Sequence, residues 1–365
     1  MRLIYLSPLP WRSFTQRPHE FVSYFHKKTG GDVLWIDPYP TRLPLLTDFT
    51  RTRENKADSF RATPEWLTVV HPRALPVEPL PVVSACNKLL WNSIVQQAIT
   101  FSRQGKTTLA VGKPSVLALQ LLNTINSVTS VYDAMDNFPA FYSGISKYAL
   151  DRHEQAIAQR VARLLVSSSK LLEKFSAYSE KTTFVLNASR DNLPQPNFKA
   201  PNIDDPVIGY IGTLGKWFDW EMVINLACSH PNYRFRLIGP IFSKPSNKLP
   251  ANIAILPPLE HSAALATMRD FDLGLIPFKK NALTASVDPI KYYEYRALGL
   301  PVVSTAFGEM LVHSKEPGVF LLNEALNDND IFDKALHHQS NESAVMLFRE
   351  QNTWERRFSN AELFK

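Results

Sequence analysis

Lys291 and Glu294 stand three residues apart in the segment 284–305, TASVDPIKYYEYRALGLPVVST, a spacing that puts both on one face of a helix. Pro289 can start that helix and Gly299 can end it, and the apolar run Pro301-Val302-Val303 reads as a buried parallel strand. A cation and a carboxylate at the mouth of a helix–strand unit suit a ligand with phosphates at one end and vicinal hydroxyls at the other, a nucleoside diphosphate. The plainer reading is a solvated ion pair on an ordinary helix. Asp133 and Asp136 run off another expected strand into Phe138-Pro139-Ala140-Phe141-Tyr142. Carboxylates at a strand end suit a general base, or else they cap the next helix.

Gly212-Thr213-Leu214-Gly215-Lys216 follows the strand Val207 to Ile211. A glycine-rich turn between strand and helix offers backbone N–H groups to a phosphate, and Lys216 adds charge; the alternative is a plain turn. Gly209, Gly212 and Gly215 are spaced by three, so the turn is no dinucleotide fingerprint, and no Walker lysine–serine pair is present. Near the N-terminus the pattern W-x4-Q-R-P-H, Trp11 to His19, follows a first strand. Gln16, Arg17 and His19 there either face a cleft and contact a ligand or its phosphate, or cap and anchor the helix that opens at that point.

The elements that must hold these residues alternate. Strands are expected at 2–7, 32–37, 65–71, 107–111, 130–132, 164–167 and 183–186, with helices after Thr15 and at 86–103, 115–125, 148–163 and 170–178. Pro194, Pro196, Pro201 and Pro206 form a stiff linker, so a boundary is expected near residue 200. Strands then recur at 207–211, 234–239, 254–256, 272–277 and 318–322, and the tail from about Asn341 reads as a terminal helix. Such an order predicts α/β architecture with parallel doubly wound sheets, where ligands gather at the C-terminal strand ends.

A chain of 365 residues exceeds what one core usually serves, so two domains are expected. Cys86 and Cys228, far apart in apolar surroundings, read as reduced core residues of a cytoplasmic protein, with no disulfide or metal framework. The N-terminal apolar stretch is too short for a signal peptide, and no window approaches a membrane span. The net charge of +6 is compatible with an anionic partner. Arg51, Arg53, Lys56 and Arg61 make a modest basic cluster, but no dense stripe argues for nucleic acid.

Taken together, the segment 284–305, Tyr132-Asp133-x-x-Asp136, the turn at 207–220 and the pattern at 11–19 resemble the GT-B glycosyltransferases, family 4-like, of the bacterial surface-polysaccharide, teichuronic-acid-type subgroup. The resemblance implies two Rossmann-like domains facing each other across a cleft. They would be an acceptor-binding domain at 1–200 and a nucleotide-sugar-binding domain at 201–340, with a helix at 341–365 returning to the first domain, anchored by Trp354. It implies a hexosyltransferase-type enzyme that moves a sugar from a nucleoside-diphosphate sugar to a carbohydrate or lipid-linked acceptor, in the cytoplasm or in peripheral contact with the inner membrane. Glu294 would hold the ribose, Lys291 of Pro289-Ile290-Lys291 the diphosphate, and Gly212, Thr213, Lys216 and Phe278 the rest of the donor. Ser286 replaces a second glutamate that many members carry. Asp136 is the expected base with Asp133 second, and neither a metal nor another cofactor is expected. A nucleotide-sugar epimerase of the same fold and a catalytically idle scaffold are the competing readings.

Overall fold

The computed structural model describes residues 1–39, 62–75, 81–125, 129–196, 198, 200–322 and 328–364, so the basic cluster at Arg51, Arg53, Lys56 and Arg61 lies outside the described residues. The chain divides into two compact units, Met1–Val185 with Ala361–Lys365, and Leu186–Asn360.

In the first unit, β1 (Arg2–Leu6), β2 (Asp32–Ile36), β3 (Leu67–Val70), β4 (Thr107–Val111), β5 (Thr129–Ala134), β6 (Arg163–Val166) and β7 (Thr182–Phe184) pair in the order β3-β2-β1-β4-β5-β6-β7. Every pairing is parallel. β4 is buried at all of its positions and β1 at all but Arg2, the pattern of strands covered on both faces. The order reverses between β1 and β4, so the loops after these strands open at a topological switch point.

The second unit repeats the plan with β8 (Val207–Ile211), β9 (Arg234–Ile238), β10 (Ile253–Leu256), β11 (Leu273–Ile276), β12 (Val302–Thr305) and β13 (Val319–Leu322), in the parallel order β10-β9-β8-β11-β12-β13. Its reversal falls between β8 and β11.

Several expectations are corrected. The single helix expected at 86–103 is two, Pro81–Leu90 and Asn92–Ser102, parted at Trp91. Trp91 is fully buried and its indole Nε1 donates to Arg73 O at 3.1 Å, which sets the break. The helix Pro81–Leu90 buries Asn87, whose amide bonds both the N–H and the C=O of Leu75, and exposes Val82, Leu89 and Leu90. Cys86 and Cys228 are both exposed, because each lies on the outward side of its helix. The tail forms two helices, Glu342–Gln351 and Trp354–Asn360. Trp354 is buried in the second unit, stacked on Phe358, whereas Phe364 packs in the first unit, against Phe21 and Phe25.

Candidate functional site

The helix Ile290–Ala297 carries Lys291 and Glu294, and its seat is dictated by Tyr295. The Tyr295 ring lies over Gly274 of β11, where a Cβ would meet the ring at 2.4 Å, so glycine alone lets the helix come this close. The Tyr295 hydroxyl accepts from Ile211 N–H at 3.2 Å and donates to Gly209 O at 3.4 Å, tying the helix to β8 as well. Tyr292, Tyr293, Glu294 and Ala297 are buried too, leaving Lys291 at the rim. Lys291 Nζ donates to Glu294 Oε2 at 2.5 Å, with the two side chains 22% and 5% exposed. Gly274→Ala is expected to cost about 1–3 kcal/mol in urea unfolding, since the new methyl must displace a packed ring.

The loop after β8 begins at Gly212, whose φ of 156° and close neighbour, the Tyr210 hydroxyl, disfavour any side chain. Gly239, at the end of β9, presses against Gly212 O, where a Cβ would stand at 2.1 Å. Thr213 is half-buried and its carbonyl accepts from the Tyr210 hydroxyl at 3.0 Å, while Lys216 is exposed. Phe278 follows β11 and pairs antiparallel with Phe218 in a single bridge; its N–H donates to Thr305 Oγ1 at 3.1 Å. Lys279 N–H donates to Trp217 O at 2.8 Å, so the loops after β8 and β11 hold each other at the switch point. Ser286 is buried in the short turn Thr284–Ser286, and Gly308 fits against Val287 O and Thr284 O with φ 44°.

In the first unit, Asp133, one residue before the end of β5, is wholly buried. Arg17 clamps it with Nε at 2.9 Å and Nη2 at 2.8 Å from Oδ1, and a third guanidinium nitrogen donates to Val185 O at 2.7 Å. The Tyr5 hydroxyl donates to Asp133 Oδ2 at 3.4 Å. Asp136 is half-buried just beyond the strand. Loss of water around its carboxyl pushes its pKa up to about 7, against the Arg17 charge, which lowers it, and with the Asp133 charge, which raises it. His19 is fully buried: Gln16 N–H donates to its Nδ1 at 3.2 Å, which leaves Nε2 to donate to Trp11 O at 3.0 Å. Arg17 and His19 therefore direct their polar atoms into the unit, while Gln16, the residue capping the helix Arg17–Thr29, is exposed.

Two clusters carried no signal in the sequence. Glu154, buried in the helix Gly144–Arg160, accepts from the Tyr132 hydroxyl at 2.6 Å and from Lys174 Nζ. Burial raises the Glu154 pKa and Lys174 opposes it. Lys174 Nζ also donates to Asn137 Oδ1 at 3.0 Å, fixing the residue after Asp136. The other is centred on Asp288, described below.

Two doubly wound parallel α/β units in one chain, each with its loops gathered at a strand-order reversal, define the GT-B architecture. The same fold is found in the crystal structure of HepE from Anabaena in complex with UDP and glucose, with TM-score 0.65 and 15% identity over 100% of this chain and 99% of that one. It also occurs in the lipopolysaccharide outer core galactosyltransferase WaaB, with TM-score 0.61 and 11% identity over 99% of both chains. In sequence the chain is 27% identical over 198 residues to the putative teichuronic acid biosynthesis glycosyltransferase TuaH of Bacillus subtilis. The match covers 48% of this chain and about half, 50%, of that protein. No protein-family model matches.

Proposed function

We propose that the chain is a glycosyltransferase that moves a sugar from a nucleoside-diphosphate sugar to a carbohydrate or lipid-linked acceptor in bacterial surface-polysaccharide biosynthesis. The observation that carries this reading is the Lys291–Glu294 pair, seated by Tyr295 against β8 and β11 in the second unit. The likeness to TuaH supports it, as does the fold shared with HepE, which was crystallised with UDP and glucose.

On this reading Glu294 accepts the ribose hydroxyls. The bond from the anomeric carbon to the diphosphate breaks, a bond from the acceptor oxygen to that carbon forms, and the acceptor proton passes to Asp136. Lys291 and Lys216 offset the charge that gathers on the departing diphosphate. Gly212 and Thr213 bring backbone close to the phosphates, Phe278 and Ser286 line the donor side, and Gln16 is the exposed candidate for an acceptor contact. Arg17 serves indirectly: it pairs with Asp133, and its charge restrains the Asp136 pKa from climbing further. No described helix is long and apolar enough to cross a membrane. Exposed Val82, Leu89 and Leu90, with the net charge of +6, support peripheral contact with an anionic membrane face.

The test is incubation with UDP-, GDP- and dTDP-sugars and detection of free nucleoside diphosphate. A bound donor at 100 times its Kd is expected to stabilise the fold by about 2.7 kcal/mol, which a thermal-shift panel reads first. Conversion of the nucleotide sugar to its isomer would assign an epimerase. Silence across all three bases would remove the proposal and leave the scaffold reading.

A further inference from the structure

The helix that carries Lys291 begins without the usual means of holding its first turn. Pro289 occupies the cap position with no side-chain acceptor to offer, and no acidic residue lies in the first turn. Lys291 is the second residue of that helix, within the turn that would fray first. Yet Lys291 is the group whose position matters most for a diphosphate.

What fixes the start is the residue before the cap. Asp288 is 2% exposed, and its carboxylate is held from three directions. Oδ2 accepts from Asn187 N–H at 2.7 Å and from the Tyr293 hydroxyl at 2.9 Å, and Oδ1 accepts from His313 Nε2 at 3.0 Å. The Asp288 carbonyl accepts from Asn187 Nδ2 at 2.6 Å. Tyr293 lies on the same helix, His313 ends the short helix Met310–His313 and stacks on Tyr292, and Asn187 lies in the segment that follows β7. Three separate pieces of the second unit thus converge on the residue that precedes Pro289-Ile290-Lys291.

We propose that Asp288 is a positioning residue: by pinning the first turn of this helix to Asn187, Tyr293 and His313, it sets where Lys291 meets the diphosphate of the donor. The inference rests on the function proposed above and adds to it the group that places the cation. Asp288 holds the first turn, where Lys291 sits, whereas Glu294 is seated beside Tyr295, which is tied to β8, so the loss of Asp288 should register more on the phosphates than on the nucleoside.

The full chain is titrated calorimetrically with UDP, GDP and dTDP, and then with the nucleoside of whichever base the wild type binds. Asp288→Asn is expected to weaken diphosphate binding about tenfold and nucleoside binding less than about twofold, and a double-mutant cycle with Lys291→Met should be strongly non-additive. Equal losses for diphosphate and nucleoside, or a loss that adds in full to that of Lys291→Met, would show a merely structural residue and overturn the inference. Tyr293→Phe removes one donor without removing the carboxylate, and it covers the case in which Asp288→Asn does not fold. It should show the same selective loss, smaller in size, and an equal loss overturns the inference just as well. Wild-type binding of none of the three diphosphates overturns the proposed function together with this inference, whereas tight binding by wild type and Asp288→Asn alike overturns this inference alone.

Discussion

Asp136→Asn is expected to lower turnover about 10²- to 10⁴-fold at pH 8, the range for removal of a positioned general base, with donor affinity unchanged. The base must be ionised to accept the acceptor proton. With a pKa near 7, wild-type turnover should rise with pH up to about that value and level off above it. The same shift makes a second, independent prediction. In the unfolded chain this carboxyl titrates near 3.8 and in the folded chain near 7, so the folded state binds the proton more tightly. Stability from that preference is complete below the unfolded value and is lost as pH rises through 7. The full difference, 7 minus 3.8 pH units, corresponds to about 4 kcal/mol as an upper bound. Asparagine carries no charge to desolvate, so the variant should gain stability over wild type as pH is raised from 4 to 8. Urea unfolding at both ends of that window checks it. Parallel curves for the two proteins would show that Asp136 is not held at a raised pKa. Unchanged turnover would make Asp136 an acceptor contact in a reaction that needs no base.

A site that destabilises its own protein at working pH is a familiar cost of poising a carboxylate for proton transfer. Arg17 shows how the fold contains that cost. Its charge opposes the Asp136 shift while its hydrogen bonds go to Asp133, so one buried cation steadies both carboxylates.

This division of labour was not legible in the sequence, because Arg17 and Asp133 are 116 residues apart and only the folding of β1 beside β4 and β4 beside β5 brings them together. Arg17 and His19 stood out by residue type as groups for meeting phosphate, but residue type does not say whether a side chain turns outward or in. The strands were legible because parallel strands buried on both faces read as near-continuous apolar runs, as β8 and the last four residues of β1 do. The helix Ile290–Ala297 was legible from its Pro and Gly boundaries, whereas its anchorage was not: Asp288 and Asn187 meet across 101 residues. The break at Trp91 escaped notice for a related reason, since the bond from its indole to Arg73 leaves no local pattern. The exposed faces of Cys86 and Cys228 show that apolar neighbours in sequence do not ensure burial on a helix.

Replacing Lys291 is the second change expected to have a large effect, and it needs a control that follows from the geometry. On the proposed reading, departure of the diphosphate gathers negative charge beside the helix Ile290–Ala297, and loss of one such stabilising group typically costs about 10²- to 10³-fold in kcat. Lys291 is also the cation bonded to Glu294, whose side chain is only 5% exposed. Lys291→Met alone therefore strands a buried carboxylate, a change that costs about 3–5 kcal/mol of stability when the pair is well buried. The partial exposure of Lys291 places this pair toward the lower end. Lys291→Met with Glu294→Gln removes both charges together and should recover most of that stability, while turnover stays low because neither substitution restores a cation. Lys291→Arg with Glu294 intact keeps the charge and should retain more activity than either. The three variants, compared by unfolding and by nucleoside-diphosphate release, separate the part of the loss that belongs to folding from the part that belongs to the leaving group. If the double variant turns over like wild type, the helix Ile290–Ala297 does not grip a diphosphate, and the charge on the leaving group is offset elsewhere in the chain.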